Sequence, residues 1–217
     1  MKKIILSAAA LFIFGFANAQ DVTVTTTTTT MSEGGKGFSS GDVFLSGAVG
    51  FTSDSFGDSK SNTFTVAPKA GFFVSDNIAV GVAFRYRGET DETEYTAGDL
   101  TITIEEESST LSVGAFARYY ATPASDFSFF GELGFNYNTT NSNDGEVLSE
   151  DVKFNGFDIT LSPGVSYFIS EHFVLEASIG ALSYETTTQD IDDADDMNTF
   201  NIGLDLTDLT IGLLFKF

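Results

Sequence analysis

The chain contains no cysteine, a single histidine, and ten lysines and arginines against 31 aspartates and glutamates. Without cysteine there are neither disulfides nor thiolate metal centres. The shortage of base leaves a formal net charge of −21. A surface of that sign repels phosphate backbones, which excludes nucleic acid as a partner. Long apolar runs are scarce as well. Beyond the first nineteen residues no stretch holds 18 uninterrupted apolar residues, so no helical membrane span is expected there. Phenylalanine, by contrast, is abundant. With 23 Phe in a 42% hydrophobic composition, the chain does not fit the low-hydrophobicity, high-charge pattern of disorder. The acid must therefore be concentrated away from the folded wall.

Residues 1–19 read as an export signal. Lys2 and Lys3 supply the positive start, "IILSAAALFIFGF" the apolar core, and Ala17, Asn18 and Ala19 the small-residue cleavage site before Gln20. The core is shorter than the roughly 20 residues of a spanning helix. Its removal would also take two lysines, −21 − 2 = −23. Residues 20–40 are low-complexity, rich in Thr and Gly, and read as a flexible leader.

From residue 41 onward the pattern has period 2. Eight segments alternate: 43–51, 63–74, 78–87, 109–120, 127–138, 156–169, 173–184 and 200–217. In "IAVGVAFRYR" (78–87), Ile78, Val80, Val82, Phe84 and Tyr86 share one face, while Ala79, Gly81, Ala83, Arg85 and Arg87 share the other. One face is large and apolar; the other is small, polar or charged. The aromatics of the large face gather near the segment ends. Tyr119, Phe127, Tyr167 and Phe173 fall at one set of ends, and Phe84, Tyr86, Phe135, Tyr137 and Phe157 at the other. Two aromatic girdles bounding an aliphatic band are what a bilayer selects.

The connections alternate in length. Residues 75–77, 122–126 and 170–172 are short; 52–62, 88–108, 139–153 and 185–200 are long. The long ones hold 20 of the 31 acids and only Lys60 and Lys153 among the bases. Strand edges cannot stay unpaired in hydrocarbon, so a spanning sheet must close. The expectation is an all-β, eight-stranded antiparallel up-and-down transmembrane β-barrel over residues 41–217. Its short turns would face the periplasm, on the side of the leader, and its long acidic loops the exterior. Eight strands leave an interior just wide enough to be filled by side chains.

This pattern resembles the small outer-membrane barrel family of the OmpA/OmpX type. The final "LTIGLLFKF" places Phe215 and Phe217 on its apolar face, with Leu214 an apolar exception opposite. It is similar to the terminal signal that the barrel assembly machinery reads in that family. Longer OmpA-type chains add a peptidoglycan-binding domain. The expectation here is that none follows Phe217, and no cell-wall tether is carried over. The resemblance implies residence in the outer membrane, contact with its lipid and lipopolysaccharide, and a monomer.

The small face carries Lys69, Arg85, Arg118, Glu132 and Glu176. Buried charge demands pairing, and two roles fit such a network: a plug that fills the interior, or a gate in a narrow, cation-biased pore. His172 lies in the short turn "SEH", beside Ser170 and Glu171. Three residues so close in sequence do not form an oriented nucleophilic relay, so no catalytic site is expected. Asp190, Asp192, Asp193, Asp195 and Asp196 could ligate a hard cation. The calcium-loop order requires Gly sixth and Glu twelfth, but here those places hold Asp195 and Asn201. A solvated acidic loop is expected instead, with no cofactor. Two finer expectations concern the long loops. "NDG" (143–145) and "DLTITIEE" (99–106) should extend as ribbons, with a bulge between 106 and Leu111, where the apolar parity switches. The same slip separates Leu204 and Leu206 from Leu209. The functional expectation is a structural or surface-interaction role with an unknown extracellular ligand; the alternative is a narrow pore gated by its ion pairs.

Overall fold

The computed structural model describes residues 36–97, 100–143, 152–191, 194–204 and 209–217. The expected signal and the leader up to residue 35 lie outside them, as does most of the "NDG" turn. Ten strand segments form in chain order: β1 (Val43–Phe56), β2 (Ser59–Phe73), β3 (Ile78–Ala97), β4 (Leu100–Tyr120), β5 (Phe127–Asn143), β6 (Val152–Phe168), β7 (Phe173–Ser178), β8 (Leu182–Gln189), β9 (Met197–Ile202) and β10 (Thr210–Lys216). They make eight staves, because β7 with β8 and β9 with β10 are interrupted strands. Each stave pairs antiparallel with its neighbour, and β10 returns to β1 through Phe44↔Lys216 to Gly47↔Leu213. The sheet is thus an eight-stranded barrel, and Phe217 N–H donates to the Val43 carbonyl at the closing seam.

Side chains divide by parity. The large face points outward: Val82, Val113, Leu133, Leu161 and Leu213 are all exposed, as befits a wall solvated by lipid rather than water. Of the expected girdle, Phe84, Tyr119, Phe127, Phe135, Tyr137, Phe157, Tyr167 and Phe173 are exposed, and Tyr86 is half-buried.

Two prolines mark irregularities. Pro68 lies where the β2–β3 ladder is interrupted between Val66↔Tyr86 and Lys69↔Ala83, as a residue without an N–H requires. Pro163 lies where β6 changes partner, from Leu161↔Leu182 to Gly164↔Ser178. Paired residue numbers there sum to 343 on one side and 342 on the other. One extra residue therefore sits on the seventh stave between Ser178 and Leu182, a bulge the alternating pattern did not announce.

The bulge expected between 106 and Leu111 does not form. The β3–β4 register runs unbroken from Ala97↔Leu100 to Ile78↔Tyr119. Ile102 and Ile104 simply share the parity of the interior residues. Above the bilayer there is no lipid to dictate which face is apolar, so the side-chain pattern changes while the backbone does not. In the last stave, by contrast, parity does change: Phe200 and Ile202 lie in register with Tyr184 and Leu182 on the outward face before the interruption, and Ile211 and Leu213 with Ala177 and Leu175 on that face after it.

Candidate functional site in the barrel interior

The inward face is not uniformly small and polar, which corrects the expectation from sequence. Its periplasmic end is aromatic. Phe44, Phe73, Phe116, Tyr120, Phe130 and Phe168 pack there with Val174 and Leu214, all buried. Inward glycines on neighbouring strands make this possible. A Cβ on Gly81 would lie 2.6 Å from the Phe116 ring, and one on Gly164 2.4 Å from the Phe130 ring. The sequence carried a signal for this floor: these rings share parity with the glycines and lie near the short turns, and Leu214, the apolar exception in the last strand, takes the same inward face.

Above the floor sits the charged network. Arg118 on β4 donates through Nε and Nη2 to Glu132 Oε2 on neighbouring β5, at 2.9 and 2.6 Å. Its Nη1 reaches Glu176 Oε1 on β7 at 2.6 Å and Tyr120 Oη at 2.8 Å. Lys69 Nζ on β2 bonds the other oxygen of Glu132. The Arg118 guanidinium also lies 4.3 Å from the centroid of Phe130, so ring faces complete the cation's surroundings. Four strands thus contribute to one mutually satisfied cluster, as a low-dielectric interior demands. Tyr120, which bridges Arg118 and Glu176, is a member that sequence reasoning missed.

Arg85 is not part of this cluster. It is exposed and makes no ion pair among the described residues. It belongs to a more open upper lumen, in register with Ser112. There Asn136 and Asn138 donate to the two oxygens of Asp158 at 2.8 and 2.7 Å, which holds that carboxylate without a cation.

At the periplasmic rim, His172 hydrogen-bonds through Nδ1 to the Lys216 carbonyl at 2.8 Å and stacks on Phe215. It is tied to the closing strand rather than standing free in water, and no Ser or acid bonds to it among the described residues. Phe215 packs edge-on against both Phe173 and Phe217. The leader also needs correction at its end: residues 36–40 were expected to be flexible, yet Phe38 is buried within the aromatic floor.

Outside the membrane, β3 and β4 continue as a ribbon beyond the last partners on either side, Ser59↔Thr93 and Glu107↔Asn143. At the base of the ribbon, where β2 still pairs with β3, acids lie directly opposite one another, Asp91↔Glu106 and Glu92↔Glu105, with Lys60 in register beside Glu92. A groove of about 530 Å3 opens beside it, lined by Asp54, Phe56, Lys60, Asp91 and Glu92 among others. Of the expected cation ligands, Asp190 pairs with Lys153 at 3.7 Å and Asp196 accepts from Thr188, whereas Asp192 and Asp193 lie outside the described residues. No group of three or more metal-binding side chains converges among the described residues.

Comparison with known proteins agrees with this geometry. The family model described as outer membrane protein beta-barrel domain matches residues 7–207. Among solved structures, the outer membrane protein OprG from Pseudomonas aeruginosa is similar over 84% of this chain and 98% of its own, at 16% identity and a TM-score of 0.52. The N-terminal barrel domain of OprF from the same organism aligns over 82% and 99% at 14% identity, with a TM-score of 0.42. Neisserial surface protein A aligns over 81% and 96% at 17% identity, with a TM-score of 0.42. No curated protein matches. With its closed eight-stranded wall, lipid-facing aromatics and a family match over most of its length, the chain belongs to the outer membrane protein β-barrel family and resides in the bacterial outer membrane.

Proposed function

We propose that this protein is a closed envelope barrel whose work is done at its outer face, where the acidic β3–β4 ribbon and its groove form a docking surface for a cationic partner. The observation that carries this reading is the packing of side chains inside the lumen. Arg118 bridges strands across the interior, and a packed aromatic layer lies beneath it. Eight strands leave little room once such side chains are in place. The outer ribbon supplies what a docking surface needs. It carries exposed Tyr95 and Ile102 on one face and an excess of acid around them.

In this reading the girdle aromatics anchor the barrel among lipid and lipopolysaccharide. Phe215 and Phe217 serve as the assembly signal, and the closed wall works as a monomer. The family's general character supports a non-enzymatic role. Conductance of the purified protein in a planar bilayer tests the proposal. A folded, electrically silent barrel is the expected result. Reproducible conductance steps altered by Glu132→Gln would overturn it in favour of a narrow, ion-pair-gated pore.

A further inference from the structure

We propose that residues 36–42 form a removable stopper, with the Phe38 ring as the piece that completes the periplasmic seal. This rests on the reading of the barrel as closed, and it names the element that closes it. Phe38 is 2% exposed although it precedes the first strand. Its ring lies 4.7 Å from Phe73, 4.8 Å from Tyr120 and 4.7 Å from Phe168, residues at the periplasmic ends of β2, β4 and β6. It therefore occupies the space that the inward rings of three separate strands leave between them.

The segment is held by specific bonds rather than by packing alone. Phe38 N–H donates to the Pro123 carbonyl at 2.7 Å, and Gly41 N–H to Phe73 at 2.8 Å. Ser40 N–H donates to Asp76 Oδ1 at 3.1 Å, and Lys36 pairs with Asp126 at 3.2 Å. Lys216 Nζ, from the last strand, donates to the Gly37 carbonyl at 2.7 Å and faces Asp42 at 3.6 Å. Gly37 has a φ of 119°, and a Cβ there would lie 2.9 Å from the Ala124 backbone, so only glycine lets the segment turn in against the β4–β5 turn. Because one anchor is Lys216, the stopper is fully seated only after the final strand has closed the barrel. Gly41 and Asp42 exchange backbone bonds with Phe73 of β2 and serve as the hinge, whereas residues 36–40 bond to turns and rim side chains and can leave without breaking the wall. Their departure opens a gap among the inward rings of β2, β4 and β6 and leaves above it only the charged Arg118 cluster, past which small ions can move.

The test compares the unaltered full-length protein purified from outer membranes with Phe38→Ala, Gly37→Ala and, as a control, Phe200→Ala, exposed at the opposite end. Each is checked for folding by heat-dependent gel mobility and then recorded in planar bilayers. The expected result is silence from the unaltered protein and Phe200→Ala, with reproducible conductance steps from Phe38→Ala and Gly37→Ala. Folded but silent Phe38→Ala and Gly37→Ala proteins would overturn the stopper while leaving the closed barrel intact. If Phe38→Ala fails to fold, Gly37→Ala decides, since it keeps the ring and only displaces the segment. Conductance in the unaltered protein would overturn the closed-barrel reading and the stopper with it.

Discussion

Arg118 and Glu176 are bonded across the lumen. The guanidinium leaves β4 and meets the carboxylate on β7, three staves away, at 2.6 Å. A ladder neighbour such as Glu132 is brought close by register alone; Glu176 is brought close only by closure of the wall. The pair therefore reports whether the barrel is complete.

Removing Arg118 leaves Glu176 without its cation, while Glu132 keeps Lys69. Arg118→Met should cost about 3–5 kcal/mol of stability, the usual penalty for breaking a buried pair from one side. The double change Arg118→Met, Glu176→Gln removes the orphaned charge and should recover much of that loss. Urea titration of the folded, lipid-embedded protein measures both. Equal destabilisation by the single and double variants would show that packing of the arginine, not its charge, is what matters.

Lipid exposure makes a depth-dependent prediction. Leu133 points outward from the middle of β5, whereas Tyr137 belongs to the upper girdle on the same strand. Leu133→Arg should cost about 2–4 kcal/mol and Tyr137→Arg only about 0–1 kcal/mol, because arginine near the interface reaches water. The same urea titration in bilayers reads the difference. Similar costs at the two sites would contradict the assigned position of the membrane.

Among the described residues no strand is laddered onto the outer edge of β4 over 102–106, so hydrogen exchange should protect alternate amides only. Over those residues, amides facing β3 should exchange slowly and those facing the outer edge quickly. Uniformly fast exchange would mean that the ribbon is not formed in solution.

Glu92 and Glu105 stand directly opposite one another on that ribbon. Like charges so placed are destabilising, and Glu105→Lys should stabilise the ribbon by about 0.2–1 kcal/mol. The same change should weaken adhesion of poly-lysine to cells displaying the protein, relative to Ser109→Ala. Slower exchange in the ribbon without any loss of poly-lysine adhesion would separate its fold from the proposed docking role.

Much of the architecture was legible in the chain itself. Alternation of Val80, Val82 and Phe84 against Gly81, Ala83 and Arg85 defines a wall with two solvents, and short turns against long acidic loops orient it. Period-2 patterning is written by lipid on one side and a narrow lumen on the other, so it is readable wherever both are present. Where lipid ends, at Ile102 and Ile104, the pattern changed parity and misled. The bulge between Ser178 and Leu182 was equally hidden, since Gly180 and Ala181 suit either face.

The interior divides in the same way. Arg118 and Glu132 were recognisable as neighbours because adjacent strands of known polarity place them together. Glu176 was recognisable as a member of the network but not as the partner of Arg118, and Tyr120 and Phe38 were not recognisable at all, because their meeting depends on how a closed barrel wraps one stave onto another and folds its leading segment beneath. Sequence determines which face each residue takes, through alternation. Only closure of the sheet determines which residues meet across the lumen, because that distance is set by strand number and stagger rather than by position along the chain.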